Sequence, residues 1–158
     1  ATAFTLNTVA LSTANLYSAN QPGGAFFGLP TSTPVDAYTA YKGSPLRYGQ
    51  NNDPLVGQKV GGINVFGGGL GLYKKVGANK VIVGAIGVSG DSSCADHNIA
   101  WRTRGNLVAL GLSVVPAGIS AASNDGMVYD TDGVFTGWDH PKCSDAERNI
   151  SIAIGAGK

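Results

Sequence analysis

Lys80-Val81-Ile82-Val83-Gly84-Ala85-Ile86-Gly87-Val88 is the stretch on which the fold turns. It is rich in β-branched residues, and it is long enough to lie centrally in a sheet. Working back, Gly77-Ala78-Asn79 reads as a turn, and Leu70-Gly71-Leu72-Tyr73 before it alternates like a strand. Val60-Gly61-Gly62-Ile63-Asn64-Val65-Phe66, ahead of Gly67-Gly68-Gly69, is strand-like too. A short turn between flanking strands predicts an antiparallel hairpin of 60–73 with 80–88. The glycines leave little side chain on one face, so something must pack closely against the backbone there.

Working forward, Gly90-Asp91-Ser92-Ser93 ends the second strand, and Ser93-x-x-Asp96 fits the acidic form of a capping box. A helix is expected over 93–111, with His97, Trp101, Gly105 and Val108 on one face. A second helix is expected over 7–21, where Val9, Ala10, Thr13, Leu16, Tyr17 and Asn20 recur at helical spacing until Pro22-Gly23-Gly24 stops them. Between Ala25 and Gly57, Pro30, Pro34, Pro45 and Pro54 break every candidate element. So long an irregular stretch points to a functional or interface loop. Beyond Pro116 the chain is turn-rich, with two short β-like pieces and a compact turn at 137–143 leading to a terminal stretch. The class is α+β, a small antiparallel sheet flanked by helices, with a parallel Rossmann-type sheet as the alternative.

The 158 residues suit one domain, 1–158. Eleven Lys and Arg against ten Asp and Glu leave a net charge of +1, with no cationic excess for nucleic acid. No apolar run approaches the roughly 18 residues of a membrane span. A single Glu, few Lys and many Thr, Asn, Gly and Ser suggest the surface of an exported protein, periplasmic or extracellular.

Chemistry-bearing residues are few. Gly67-Gly68-Gly69-Leu70-Gly71 fails as a dinucleotide loop, because a strand follows it instead of a helix. Gly87-Val88-Ser89-Gly90-Asp91 departs from the nucleophile elbow at its last position, where Asp91 replaces glycine. No catalytic constellation emerges. Cys94-Ala95-Asp96-His97 and His140-Pro141-Lys142-Cys143 form the best pairing. As ligands they supply a Cys2His2 set for tetrahedral zinc. In an oxidising compartment the two cysteines instead form one disulfide. Either arrangement brings His97 and His140 into one neighbourhood, as candidate ligands for haem iron or another metal. Trp101 with Phe26, Phe27, Tyr38, Tyr41 and Tyr48 offers aromatic surface for a flat ligand or for ordinary packing. The absence of Cys-x-x-Cys-His excludes covalent c-type haem attachment.

Gly61-Gly62-Ile63-Asn64-Val65-Phe66-Gly67-Gly68-Gly69-Leu70 and Val83-Gly84-Ala85-Ile86-Gly87-Val88-Ser89-Gly90 resemble the GlcG/HbpS-like family. The second block is close to that family's pattern ahead of an acidic helix. The first has Leu70 where a proline is usual. Pro22-Gly23-Gly24-Ala25-Phe26-Phe27-Gly28-Leu29 resembles the turn after the family's middle helix. The resemblance implies a profilin-like fold, haem binding and homo-oligomers. The family-like core would be about 7–111, with 112–158 as a C-terminal extension. Nothing here corresponds to the family's long opening helix and hairpin. The expectation is therefore a sheet incomplete on its N-terminal side, in a processed fragment completed by a second chain or by copies of itself. The competing function is a structural or assembly subunit without a cofactor.

Overall fold

The structure, a computed structural model, describes residues 11–112, 114–115, 125–130 and 137–158. The described chain divides into two compact units, Gly28–Asn64 and the remainder.

Prolines confine Gly28–Asn64 to single turns. Helix α1 (Leu29–Ser32) carries Pro30 in its first turn, and α2 (Ala37–Ala40) is capped by Asp36, whose carboxylate accepts from the N–H groups of Tyr38 and Thr39. A 3-10 turn follows at Pro45–Arg47. The strand expected to start at Val60 is not formed. Gly61 and Gly62 have φ of 71° and 80°, which leaves only an isolated antiparallel bridge between Val35 and Gly61. Extended backbone requires negative φ, and glycine makes the reversal cheap.

The expected hairpin is present in the other unit, with its first strand starting later. Strand β1 (Gly69–Val76) pairs antiparallel with β2 (Asn79–Gly87), in a register from Gly69↔Gly87 to Val76↔Asn79 with an irregularity between Leu72 and Tyr73. Gly77, at φ 59°, starts the two-residue turn. On the far side of β1 lies β3 (Val114–Val115), also antiparallel, giving the order β2-β1-β3. A parallel Rossmann-type arrangement is thereby ruled out for this sheet. The close packing expected at the glycines occurs at Gly69 and Gly71 in β1, where a Cβ would meet the Thr13 and Tyr73 side chains, and is tightest just ahead of it. A Cβ on Gly67 would lie 1.8 Å from the Ser93 carbonyl oxygen, and one on Gly68 2.0 Å from that of Val88. Gly67-Gly68 is thus the only side-chain-free way to press this loop against the start of the next helix.

That helix, α3 (Ser93–Ala109), is capped by Ser92, one residue before the cap expected from sequence. Its buried residues are Cys94, Asp96, His97, Asn98, Ala100 and Arg104, whereas Gly105, Val108 and Leu110 are exposed. The face expected to be buried, through Gly105 and Val108, is therefore not the interior one. The interior stripe runs through His97, Ala100 and Arg104, because the two polar side chains find partners inside. Where a helix was expected over 7–21, the described part forms two 3-10 turns, Thr13–Leu16 and Ser18–Asn20. Residues 7–10 lie outside the described residues. Local side-chain bonds compete with the helix: Asn15 Oδ1 accepts from the Ser12 N–H (3.1 Å), and Asn20 Nδ2 donates to the Leu16 carbonyl (2.9 Å). The terminal stretch contains α4 (Asp145–Ala153), capped by Ser144, whose hydroxyl accepts from the Glu147 N–H and donates to the Glu147 carboxylate. Ala14, Cys94, Met127 and Tyr129 form a small buried apolar cluster. No helix among the described residues is long and apolar enough to cross a membrane.

Candidate functional site

The first turn of α3 gathers the groups singled out from sequence. Cys94, in that turn, is joined to Cys143 by a disulfide with Cα atoms 6.1 Å apart. The backbone adds a reciprocal pair of contacts: the Cys94 N–H points at Cys143 Sγ and the Cys143 N–H at Cys94 Sγ, both at 3.2 Å. The bridge ties the start of α3 to the segment entering α4. Ser92 reinforces the tie through a short hydrogen bond from its hydroxyl to the Glu147 carboxylate, as does Asn98 Nδ2, which donates to the Glu147 carbonyl at 3.3 Å.

His140 is held from both sides of its ring. Its backbone sits in a parallel bridge with Tyr129, and its N–H donates to the Val128 carbonyl at 2.8 Å. Nδ1 lies 2.7 Å from the Pro141 carbonyl. A carbonyl only accepts, so Nδ1 carries the hydrogen and Nε2 the lone pair. The Ser93 hydroxyl, 2.7 Å away, donates to that lone pair while accepting from the Gly67 N–H at 2.6 Å. The Tyr17 ring closes over the imidazole with centroids 5.0 Å apart. Burial holds the His140 pKa below the ordinary imidazole range, against the opposing pull of the Pro141 carbonyl and Asp130.

His97 is fully buried and points elsewhere. Its Nε2 lies 2.8 Å from the Ala156 carbonyl and 3.2 Å from the Met127 N–H. These two contacts demand opposite tautomers; because the Met127 N–H already donates to the Ala156 carbonyl at 2.8 Å, the hydrogen belongs on Nε2 and the lone pair on Nδ1. Among the described residues Nδ1 has no hydrogen-bond partner. Burial drives its pKa down to about 4, so the ring is neutral at pH 7. The Cys2His2 set weighed from sequence is therefore not assembled. Cys94, His140 and Cys143 place one ligand atom each within 4.8 Å of one another, without His97.

One turn beyond His97, the Trp101 ring lies 6.0 Å from the imidazole and 4.7 Å from the Arg104 guanidinium. Arg104 is fully buried. It donates to the Gly71 carbonyl at 3.2 Å and forms a short ion pair with buried Asp125, with a second contact of 3.3 Å. Sequence reasoning missed this pair. An arginine in a helix reads as surface, and only the fold reveals that its face turns inward. Outside Trp101, an open groove of about 510 Å³ runs along α3, lined by Trp101, Arg102, Gly105, Asn106 and Ile154. Gly105 matters here. It stands inside a 17-residue helix, and a Cβ at this position would meet nothing within 4 Å. Of the other aromatics, Phe26 packs edge-on against Trp138 at 6.0 Å, while Phe27, Tyr38 and Tyr41 are exposed.

An α+β unit with a central antiparallel hairpin, followed by a helix whose start is pinned by the Gly67-Gly68 loop, is the setting of this site. Residues 2–103 match the family model described as haem degrading protein HbpS-like. The match covers well over half of the chain, which belongs to the HbpS-like family. No curated protein and no solved structure matches it.

Proposed function

We propose that this chain is an exported protein that binds haem, or a related tetrapyrrole, without covalent attachment and within a homo-oligomer. The family supplies the ligand class. The observation that carries the location is the groove on α3, where an aromatic ring, a cation and an apolar side chain meet over a glycine that leaves space. Trp101 offers a face for a flat macrocycle, Ile154 apolar contact, and Arg102 a partner for a propionate. Haem, when bound, supplies an iron centre whose chemistry depends on its axial ligand and pocket polarity.

The two histidines suit that iron unequally. His140 does not fit as an axial ligand of a macrocycle: the ring is buried, packed against Tyr17 and close to the Cys94–Cys143 bridge, so a porphyrin cannot approach its nitrogens. His97 fits in part. It is neutral and its Nδ1 has no partner among the described residues, but its full burial means that ligation requires the surrounding wall, which includes Trp101, to open. Export is supported by the disulfide, which persists in oxidising compartments. Self-association is supported by β2, which among the described residues is an edge strand of the sheet, with Val81 and Val83 exposed.

Haem titration followed by the Soret band tests the reading, with light scattering on the same samples for the oligomer. Saturable binding of one haem per chain is expected, abolished by Gly105→Leu and weakened by Trp101→Ala. Leucine is a better helix former than glycine by about 1 kcal/mol, so a loss in Gly105→Leu is not explained by unfolding. No Soret change with stoichiometric haem would overturn the proposal in favour of a cofactor-free assembly subunit.

A further inference from the structure

Cys94, Cys143 and His140 are arranged for more than a covalent staple, and this is independent of haem. We propose that, once the disulfide is reduced, these three side chains form a zinc site whose fourth position is open to water.

Four observations carry it. The three ligand atoms already lie within 4.8 Å of one another, and the 6.1 Å between the Cα atoms lets the two sulfurs separate by side-chain rotation while the backbone stays in place. Each sulfur already receives a backbone N–H, from the other cysteine, at 3.2 Å. Such donors stabilise thiolates, and Cys94 also stands in the first turn of a 17-residue helix, where negative charge is favoured. The imidazole is in the tautomer a metal needs: Nδ1–H is held by the Pro141 carbonyl, and the lone pair is on Nε2. A ring N–H donated to a backbone carbonyl is the usual outer-shell support of a metal-bound histidine. The Ser93 hydroxyl occupies the lone pair and must turn aside for an ion, giving up the bond it accepts from the Gly67 N–H. Finally, Cys94 and His140 are buried while Cys143 is exposed, which gives an ion one open side to approach and leaves that side to solvent. Two sulfurs, one imidazole nitrogen and a water is a ligand set zinc accepts in tetrahedral geometry.

The chemistry balances with a dithiol reductant. Two electrons from the dithiol break the Cys94–Cys143 bond; the dithiol becomes a disulfide, and its two protons leave both cysteines as thiols. Zinc binding then releases one proton from each thiol. A disulfide oxidant reverses both steps: it takes two electrons from the cysteines and two protons from solvent to become a dithiol, and the ion is expelled as the Cys94–Cys143 bond forms. The same four residues, with Ser93 as the hydroxyl that gives way, thus define a redox-gated metal site.

The test uses haem-free full chain, oxidised or reduced with a phosphine, titrated with Co²⁺ as a spectroscopic probe and with Zn²⁺ by native mass spectrometry. Reduced protein is expected to take up one ion per chain with a thiolate-to-cobalt charge-transfer band, and oxidised protein to show no such band. His140→Gln, checked for folding in the oxidised form, is expected to bind about tenfold more weakly or worse. Should that variant not fold, X-ray absorption at the zinc edge of reduced wild type decides, with two sulfurs and an imidazole nitrogen expected around the ion. The proposal is overturned if reduced protein binds no ion, if Cys94→Ser/Cys143→Ser binds as well as reduced wild type, or if the absorption spectrum lacks sulfur.

Discussion

Replacing both bridged cysteines, as Cys94→Ala/Cys143→Ala, isolates what the disulfide contributes to stability. The bridge closes a separation of 49 residues. On the chain-entropy model a loop of that length restricts the unfolded ensemble by about 4 kcal/mol. The folded state has little reason to change, because Ser92, Asn98 and Glu147 still join α3 to α4 and the Ser93–His140 bond holds the intervening segment. The loss should therefore fall on the unfolded side. With a urea m-value near 2 kcal/mol/M, typical of a domain this size, the midpoint is expected to drop by about 2 M, with m rising because the unlinked unfolded chain exposes more surface. Urea unfolding followed by circular dichroism measures the shift, and thiol labelling of denatured wild type without reductant checks the starting state. A drop below about 0.5 M would refute the entropic argument, and two reactive thiols in wild type would refute the bridge itself.

Arg104→Met strands Asp125 as a buried carboxylate and is expected to cost about 3–5 kcal/mol, whereas Arg104→Met/Asp125→Leu should recover much of that in the same denaturation assay. His97 carries a pH signature. Its folded pKa of about 4 lies below the ordinary value of 6.5, so the unfolded chain binds more protons between those limits. Stability should be fully present above about pH 6.5, fall as the pH drops, and level off below about pH 4, losing on the order of 3 kcal/mol from this group. Urea midpoints measured between pH 7 and 4 report the profile, and a C–H resonance of His97 that titrates near 6.5 in the native protein would refute the burial argument.

How much of this was legible beforehand depends on whether the deciding interaction is local. The β1–β2 hairpin could be read because β-branched alternation and a Gly77-Ala78 turn act over a few residues. Its start was misplaced by nine residues because Gly61 and Gly62 allow either strand or reversal, and distant backbone decides between them. Ser144-x-x-Glu147 was a cap signal for α4 and could have been found; the apolar Ile150, Ile152 and Ile154 beyond it were taken for a terminal stretch. The cysteine pair could be read from its count and chemistry, but the partners of the two histidines could not. Spacing alone put His97 and His140 on an equal footing, each three positions from a cysteine. What separates them is the identity of the nearest carbonyl: Pro141, adjacent in sequence, fixes His140, whereas Ala156, 59 positions away, claims His97. The first bond leaves the lone pair on Nε2, in a ring that has a nitrogen within 4.8 Å of both sulfurs. The second commits the other ring to Ala156, so the four-ligand set that the spacing offered as an alternative to the disulfide is reduced to three groups.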